Sequence, residues 1–179
     1  MTHKPDIATF TPLPEGNYLA VISGWKMVDK REDYLESERK EWAEKHPSMD
    51  FPWWKEKQYQ FSMKVIDGDY AGEGLPSRFT TIRLSTDERN GLYKLLKAVD
   101  GIEGTYSSLK DRIEAGDAPD FDSEVLGKAV NVLLSVSDNG RNKIEAVTKA
   151  KNDKAVATKL ADLGFEEVVV GEDGGEIPF

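Results

Sequence analysis

The sequence predicts a mainly β fold with some α-helix, in which five strands form a small Greek-key barrel. Three observations support this fold class. Apolar and polar residues alternate in five short segments, an Asn-Gly pair joins the last two, and one amphipathic helix separates the third from the fourth. This is the element order of the OB-fold with a long helical insertion between strands 1 and 2, although a generic five-stranded α+β domain has the same order.

The five predicted strands differ in how clearly the sequence defines them. The second has the most regular alternation, with Tyr59 and Phe61 on the face opposite Gln60. The first contains Gly24, a candidate β-bulge, and Asn139-Gly140 predicts a two-residue hairpin turn between the last two strands. The strands are expected at residues 17–28, 58–67, 78–85, 126–138 and 141–149.

Two insertions and a tail accompany these strands. Within residues 29–57, apolar positions three or four apart predict an amphipathic helix over 31–45. Thr86 is the candidate N-cap of the helix between strands 3 and 4, which should turn Leu92, Leu95, Leu96 and Val99 inward. The acidic insertion 100–125 is expected to be a long loop with a short helix near 107–116. The predicted units are an OB-fold domain at 1–149 and, at 150–179, a Lys/Ala-rich linker with an acidic tail.

Charge is unevenly distributed, which bears on the class of partner. The formal net charge is −9, but residues 161–179 contain six acids and no Lys or Arg, and residues 100–125 contain eight acids and two bases. Outside these segments the chain has 22 basic and 19 acidic residues, and residues 141–160 hold six bases against two acids. The acidic total therefore does not exclude a nucleic-acid partner.

Several function classes are disfavoured by what the sequence lacks. The absence of cysteine excludes disulfides, thiolate zinc sites and cysteine nucleophiles. His3 and His46 lie in peripheral segments, and neither a phosphate-binding glycine loop nor a catalytic serine motif occurs. We therefore expect no enzyme activity, no cofactor and no metal site. Without an apolar N-terminal segment or a run of about 18 apolar residues, we expect no signal peptide or membrane span, and a cytoplasmic location.

Aromatic and basic residues cluster where an OB barrel binds ligands, which is the face of strands 2 and 3 with the strand 1–2 and strand 4–5 loops. If Ile82 and Leu84 point inward, Phe79 and Arg83 point outward as a stacking ring and a phosphate contact. Phe79 could instead be a hydrophobic residue capped by the insertion. The candidate DNA-binding residues are Trp25, Lys26, Trp53, Trp54, Lys64, Phe79, Arg83, Arg141 and Lys143.

The loop candidates also have structural alternatives. Trp53 and Trp54 are adjacent, so at least one is expected near the surface, but both could pin the 31–45 helix onto the barrel. Arg141 and Lys143 follow the Asn-Gly turn, where they either reach phosphates or are simply solvated.

The end of the chain carries the most specific motif. Glu176-Ile177-Pro178-Phe179, preceded by Glu172 and Asp173, resembles the acidic C-terminal tip of bacterial single-stranded DNA-binding proteins, which ends in Asp-Ile-Pro-Phe. A terminal phenylalanine ring can fill an apolar pocket while its carboxylate pairs with a base at the rim, and proline lowers the cost of ordering the peptide. The resemblance implies a partner-binding tip formed by Asp173, Glu176, Ile177, Pro178 and Phe179.

The body of the chain resembles phage-encoded single-stranded DNA-binding proteins over about residues 12–148, in the segments PLPEGNY, IDGDYAG and LGKAVNV. This resemblance implies sequence-independent binding of single-stranded DNA in replication, recombination or repair, with replication and recombination proteins recruited through the tip. A phage-encoded member would act in the host bacterial cytoplasm. The resemblance leaves the oligomeric state open, including a homo-oligomer, since bacterial members form tetramers and some phage members form dimers.

Two other functions fit the same residues. The protein could be an interaction or inhibitor protein that mimics the tip without binding DNA, or a barrel that binds RNA or a protein. If it does bind DNA, the acidic tail is expected to occupy the basic groove of the same chain when no DNA is bound.

Overall fold

The computed structural model describes residues 3–5, 11–151 and 154–165. Five antiparallel strands form a nearly closed barrel in the order β3-β2-β1-β4-β5, and the fold is mainly β with α, compatible with an OB-like barrel. The strands are β1 (Gly16–Asp29), β2 (Lys57–Val65), β3 (Arg78–Thr81), β4 (Ala129–Val136) and β5 (Asn142–Lys149). The helices are α1 (Glu32–Lys45), α2 (Gly91–Lys97), α3 (Leu109–Glu114) and α4 (Lys154–Asp162). Within the described ranges, no helix combines the length and the apolar character needed to cross a membrane.

A β-bulge in the long first strand decides which of its side chains face inward. β1 pairs with β4 over Gly16–Val21 and with β2 along most of its length. The register with β2 shifts between Ile22 and Gly24, so Ser23 is an extra residue and the predicted bulge is confirmed. Because of this extra residue, Ile22 before it and Trp25 after it both pack against the barrel core.

The barrel interior is filled by side chains from the strands and from α2. Phe61 of β2 and Val132 of β4 are fully buried, and α2 is packed against the same core. Full burial of one such side chain contributes about 1.5–3 kcal/mol. Packing therefore stabilises this seven-residue helix, which is too short to be stable alone. The residues predicted to point inward are all buried, as expected: Leu92, Leu95, Leu96 and Val99.

The helix after β3 begins later than predicted, and the choice of Thr86 as its N-cap is wrong. Asn90 is the N-cap, and its Oδ1 accepts a hydrogen bond of 2.9 Å from the Tyr93 backbone nitrogen. Its Nδ2 also donates to the Arg83 carbonyl oxygen at 2.9 Å, which ties the helix to the segment that leaves β3. Asparagine caps a helix as well as threonine does, and here it makes this second bond to the segment after β3.

Strand β3 is shorter than predicted because its partner, β2, does not extend far enough to pair with residues beyond Thr81. Thr81 pairs with Gln58, and β2 begins only one residue earlier, at Lys57. Residues 83–85, which the sequence predicts as strand, therefore have no β2 backbone opposite them.

The turn between β4 and β5 has three residues rather than the predicted two. The Ser137 nitrogen donates to the Arg141 carbonyl at 2.8 Å, and the Gly140 nitrogen donates to the Ser137 carbonyl at 2.8 Å. A two-residue type I′ turn needs positive φ at both central residues. Gly140 has φ +76°, whereas Asn139 does not have a positive φ, so Gly140 instead closes a three-residue loop.

Helix α4 packs on the outer face of the sheet, on the side where β1 begins. Val156 and Leu160 are buried against Val21, whose neighbours along β1 point into the barrel. Lys159 Nζ lies 2.8 Å from the Asp67 carboxylate, and this hydrogen bond lowers the pKa of Asp67. The outer face of β1 is therefore covered around Leu19 and Val21.

Arg112 holds the acidic insertion 100–125 in place. Its guanidinium is nearly buried and donates to the Glu124 carboxylate at 3.0 Å and to the Asp117 carbonyl at 3.1 Å. The hydrogen bond that Arg112 donates to Glu124 raises the pKa of Arg112. The predicted short helix is present as α3, and a π-helical turn at Phe121–Val125 follows it.

Replacing Arg112 with alanine is expected to lower the free energy of unfolding by about 2–3 kcal/mol, because the Glu124 carboxylate loses its partner. The loss should be smaller than for a fully buried pair, since the Glu124 side chain is 30% exposed. Urea denaturation followed by circular dichroism measures it.

The matched control is Lys110→Ala, which removes an exposed ion pair of 3.9 Å on the same helix. Its free energy of unfolding should change by less than about 0.5 kcal/mol. Equal, small changes in both variants would contradict the role assigned to Arg112.

Candidate nucleic-acid interface

A row of three side chains crosses the outer face of β1, β2 and β3. Lys26 lies opposite Gln60 in the β1–β2 register, and Gln60 lies opposite Phe79 in the β2–β3 register. Directly paired residues of antiparallel strands project to the same face. Because Phe61 beside Gln60 points into the core, the row Lys26–Gln60–Phe79 lies on the outside of the barrel.

The exposure of Phe79 distinguishes its two predicted placements. Its side chain is 49% exposed, whereas Thr80 beside it is buried. Leu84 packs against the core, Ile82 is partly buried and Arg83 is exposed, which agrees with the predicted register. A ring that is half open to solvent is not capped by the insertion.

Trp54 and Arg83 come together at one end of the β2–β3 pair. Trp53–Lys55 forms a short 3-10 turn just before β2. The guanidinium carbon of Arg83 lies 4.6 Å from the centroid of the Trp54 ring, which is a cation–π contact. Trp53 is 64% exposed, so the prediction that at least one of the two tryptophans lies near the surface is confirmed.

Some cations near this face are paired with acids and some are not. Lys26, Lys55 and Arg83 form no ion pair with any described residue. In contrast, Arg89 lies 2.9 Å from the Asp87 carboxylate, and its hydrogen bond lowers the pKa of Asp87 to about 2. A cation without an acidic partner can contact a phosphate without first losing a protein ion pair.

Trp25 is directed to the opposite side of the sheet from this row. Its Nε1 donates to the Asp122 carboxylate at 2.8 Å, and its ring lies 5.2 Å from Phe121 and 5.9 Å from Tyr59. Simple alternation from Ile22 would have turned Trp25 outward, but the bulge reverses it. Trp25 therefore belongs to an aromatic cluster beneath the acidic insertion and not to the exposed face.

Lys64 lies on the outer face, at the edge of the part that α4 covers. It pairs with Val21, which is buried under α4. Its Nζ lies 5.6 Å from the centroid of the Phe165 ring. Lys64 is therefore at the boundary between the covered and the open parts of this face.

The β4–β5 turn lies toward the other end of β3. Arg141 is exposed and lines a groove of about 840 Å³ together with Pro76, which precedes β3, whereas Arg83 follows β3. Lys143 lies 3.7 Å from the Glu145 carboxylate. Arg141 and Arg83 thus lie toward opposite ends of the open face, and Lys143 carries an acidic partner.

The structure adds a groove that the sequence did not reveal. It has a volume of about 810 Å³ and lies between α1, the β2–β3 pair and the start of α2. Tyr34 of α1 lines it and is 60% exposed, with the Arg31 guanidinium carbon 5.3 Å from its ring centroid. One sequence feature could have indicated this groove, namely that Tyr34 directly precedes Leu35, which is the buried residue of α1. Because neighbouring residues on a helix point in different directions, Tyr34 is not expected to be buried with Leu35.

The tip residues Asp173, Glu176, Ile177, Pro178 and Phe179 lie outside the described residues. Among the described residues, no group of three or more His, Asp or Glu is arranged to hold a metal ion.

Comparisons of this chain with protein-family models, with curated proteins and with solved structures found no match. Its function is therefore inferred from the residues and their arrangement.

The tryptophans are expected to differ in their accessibility to acrylamide. Because Trp53 is 64% exposed and Trp25 is packed against the core, Trp53→Phe should remove much of the quenchable emission and Trp25→Phe should remove little. Arg83→Ala, made in the Trp53→Phe background, should increase the quenching of Trp54. An unchanged quenchable fraction in Trp53→Phe would show that this ring is not exposed in solution.

Proposed function

We propose that this protein binds single-stranded DNA without reading its sequence, on the outer face of β1, β2 and β3. The observation that carries the proposal is the row Lys26–Gln60–Phe79, where an exposed ring and a cation without an acidic partner share one face. Unpaired bases stack on aromatic rings, and cations contact the phosphates between them. Every base has a stacking face, so this chemistry needs no particular sequence.

We further propose that the barrel is an OB-fold. The strand order β3-β2-β1-β4-β5, with helices between β3 and β4, supports this assignment. OB-folds are partly open five-stranded Greek-key barrels that bind oligonucleotides on the face of strands 2 and 3. The row lies on the corresponding face of this barrel.

The residues of the face have separate roles in the proposed complex. A base stacks on Phe79, and stacking of this kind contributes about 1–3 kcal/mol per base. Lys26 and Arg83 contact phosphates and release counterions, so the affinity falls as salt rises. Gln60 is held in place because its Nε2 donates to Ser77 Oγ at 2.9 Å.

Phe79→Ala is expected to weaken binding to oligo-dT by about 1–2 kcal/mol, because one stacking ring is lost. Lys26→Ala should weaken binding mainly at low salt and reduce the slope of log affinity against log salt by about 0.7. Tryptophan fluorescence, titrated with oligo-dT at several salt concentrations, measures both quantities.

Lys110→Ala is the control for the lysine variant, because Lys110 lies on α3 and lines none of the grooves described above. Its affinity and salt slope should equal those of the wild type. Absence of wild-type binding to homopolymers at low salt would overturn the proposed DNA binding and favour the protein that only mimics the tip. If neither Phe79→Ala nor Lys26→Ala changes the affinity for DNA, the binding site lies elsewhere on the protein.

We also propose that the tip recruits replication and recombination proteins and competes with DNA for the basic face. The sequence supports this, because residues 172–179 contain three acids and end in Ile-Pro-Phe. The tip would use its apolar ring to bind the partner protein and its negative charge to compete with DNA. These two properties can be removed one at a time by mutation.

Deletion of residues 172–179 is expected to tighten binding to oligo-dT and to abolish recruitment of these partners. Phe179→Ala is the matched control, because it removes the ring and keeps the acids. It should lose partner binding in pull-down experiments and keep the wild-type affinity for DNA. If the deletion changes neither the affinity nor the pull-down, the tip has neither role.

A further inference from the structure

We infer that the helical insertion between β1 and β2 forms one wall of a pocket for a single unpaired nucleobase, and that Phe79 supplies the wall on the barrel. The inference rests on the proposed function and adds to it a role for the insertion. The pocket is the groove of about 810 Å³ between α1 and the β2–β3 pair. This volume lies within the range of roughly 300–1,000 Å³ that is typical of small-ligand sites.

Two exposed aromatic rings line this groove, one from each side. Tyr34 of α1 is 60% exposed, and Phe79 of β3 is 49% exposed. The Arg31 guanidinium lies over the Tyr34 ring, and this cation–π contact covers one ring face and orients it. Because Tyr34 is 60% exposed, ring surface remains open to a planar ligand. Unpaired bases are planar and stack on such rings.

The floor of the groove is a second row of paired residues, beside the row Lys26–Gln60–Phe79. Val28 lies opposite Gln58, and Gln58 lies opposite Thr81. The side-chain amide of Gln58 forms no hydrogen bond with any described residue. An amide carries both donors and acceptors, so it can bond to the edge of any base, which fits binding without sequence preference.

The charges of the groove favour a base over a phosphate. Asp29 and Glu38 both line it, and each has a lysine partner already. Lys30 Nζ, for example, lies 3.3 Å from the Glu38 carboxylate. Arg31 and Arg89 also line the groove, and each lies 2.9 Å from an aspartate carboxylate. Because every charged side chain that lines the groove has a partner of opposite sign, the groove offers little attraction to a phosphate and does not repel an uncharged base. Phosphates would instead lie outside the groove, toward Lys26.

The insertion is held firmly enough to act as a wall. The Lys30 nitrogen donates to the Glu56 carbonyl at 2.9 Å, which joins the two ends of the insertion. Arg39 lies 2.7 Å from Glu32 and 3.1 Å from Glu56, and Leu35 is buried. Because the wall is ordered before the ligand arrives, little binding energy is lost in ordering it.

The test compares two ligands of equal length, oligo-dT and an abasic oligomer with the same sugar-phosphate backbone. Tyr34→Ala is expected to weaken binding to oligo-dT by about 5- to 20-fold and to leave the abasic oligomer unaffected, because only the base contacts the pocket. Tyr34→Phe keeps the ring and should bind oligo-dT as the wild type does. Combining Tyr34→Ala with Phe79→Ala should cost less than the product of the two single losses, because both rings act on one base.

Tyr70→Ala is the matched control, since Tyr70 is an exposed tyrosine on the β2–β3 turn that does not line the groove. It should bind both ligands as the wild type does. The pocket is overturned if Tyr34→Ala binds oligo-dT normally while Phe79→Ala is weakened, a result that leaves the proposed function standing. It is also overturned if Tyr34→Ala weakens both ligands equally. Failure of the wild type to bind oligo-dT would instead reject the proposed function itself.

Discussion

The extra residue Ser23 in β1 is the constraint on which the arrangement of this barrel depends. Before it, Ile22 faces the core and Val21 faces outward beneath α4. After it, the alternation is reversed, so Trp25 faces inward and Lys26 faces outward. One inserted residue therefore separates a covered part of the outer face from an open part, and the open part is where the proposed binding row lies.

The acidic character of the chain is compatible with this open face because several acids of the insertion 100–125 are paired with other groups away from it. In the insertion 100–125, Glu124 and Asp117 are engaged by Arg112, and Asp122 accepts a hydrogen bond from Trp25. Near the row, in contrast, Lys26 and Arg83 have no acidic partner among the described residues. Net charge describes solubility and long-range steering, while local pairing decides which cations are available to a phosphate.

The sequence predicted those features that depend on neighbouring residues. The five strands and the outward position of Phe79 follow from alternation along one segment. The bulge follows from the glycine at position 24 within a strand. It did not predict the direction of Trp25, the cap at Asn90 or the groove at Tyr34, since each depends on segments that are distant in the chain. The DNA-binding roles of the site residues stay predictions, whether they are argued from the sequence or from the structure.

The way in which the insertion joins the barrel has a consequence for its evolution. Its two ends meet at the Lys30–Glu56 backbone hydrogen bond, immediately beyond the paired residues Asp29 and Lys57. The segment between them can therefore change in length or composition without altering how β1 and β2 are aligned. Related barrels could exchange this segment as a separate module and acquire a different ligand preference on an unchanged scaffold.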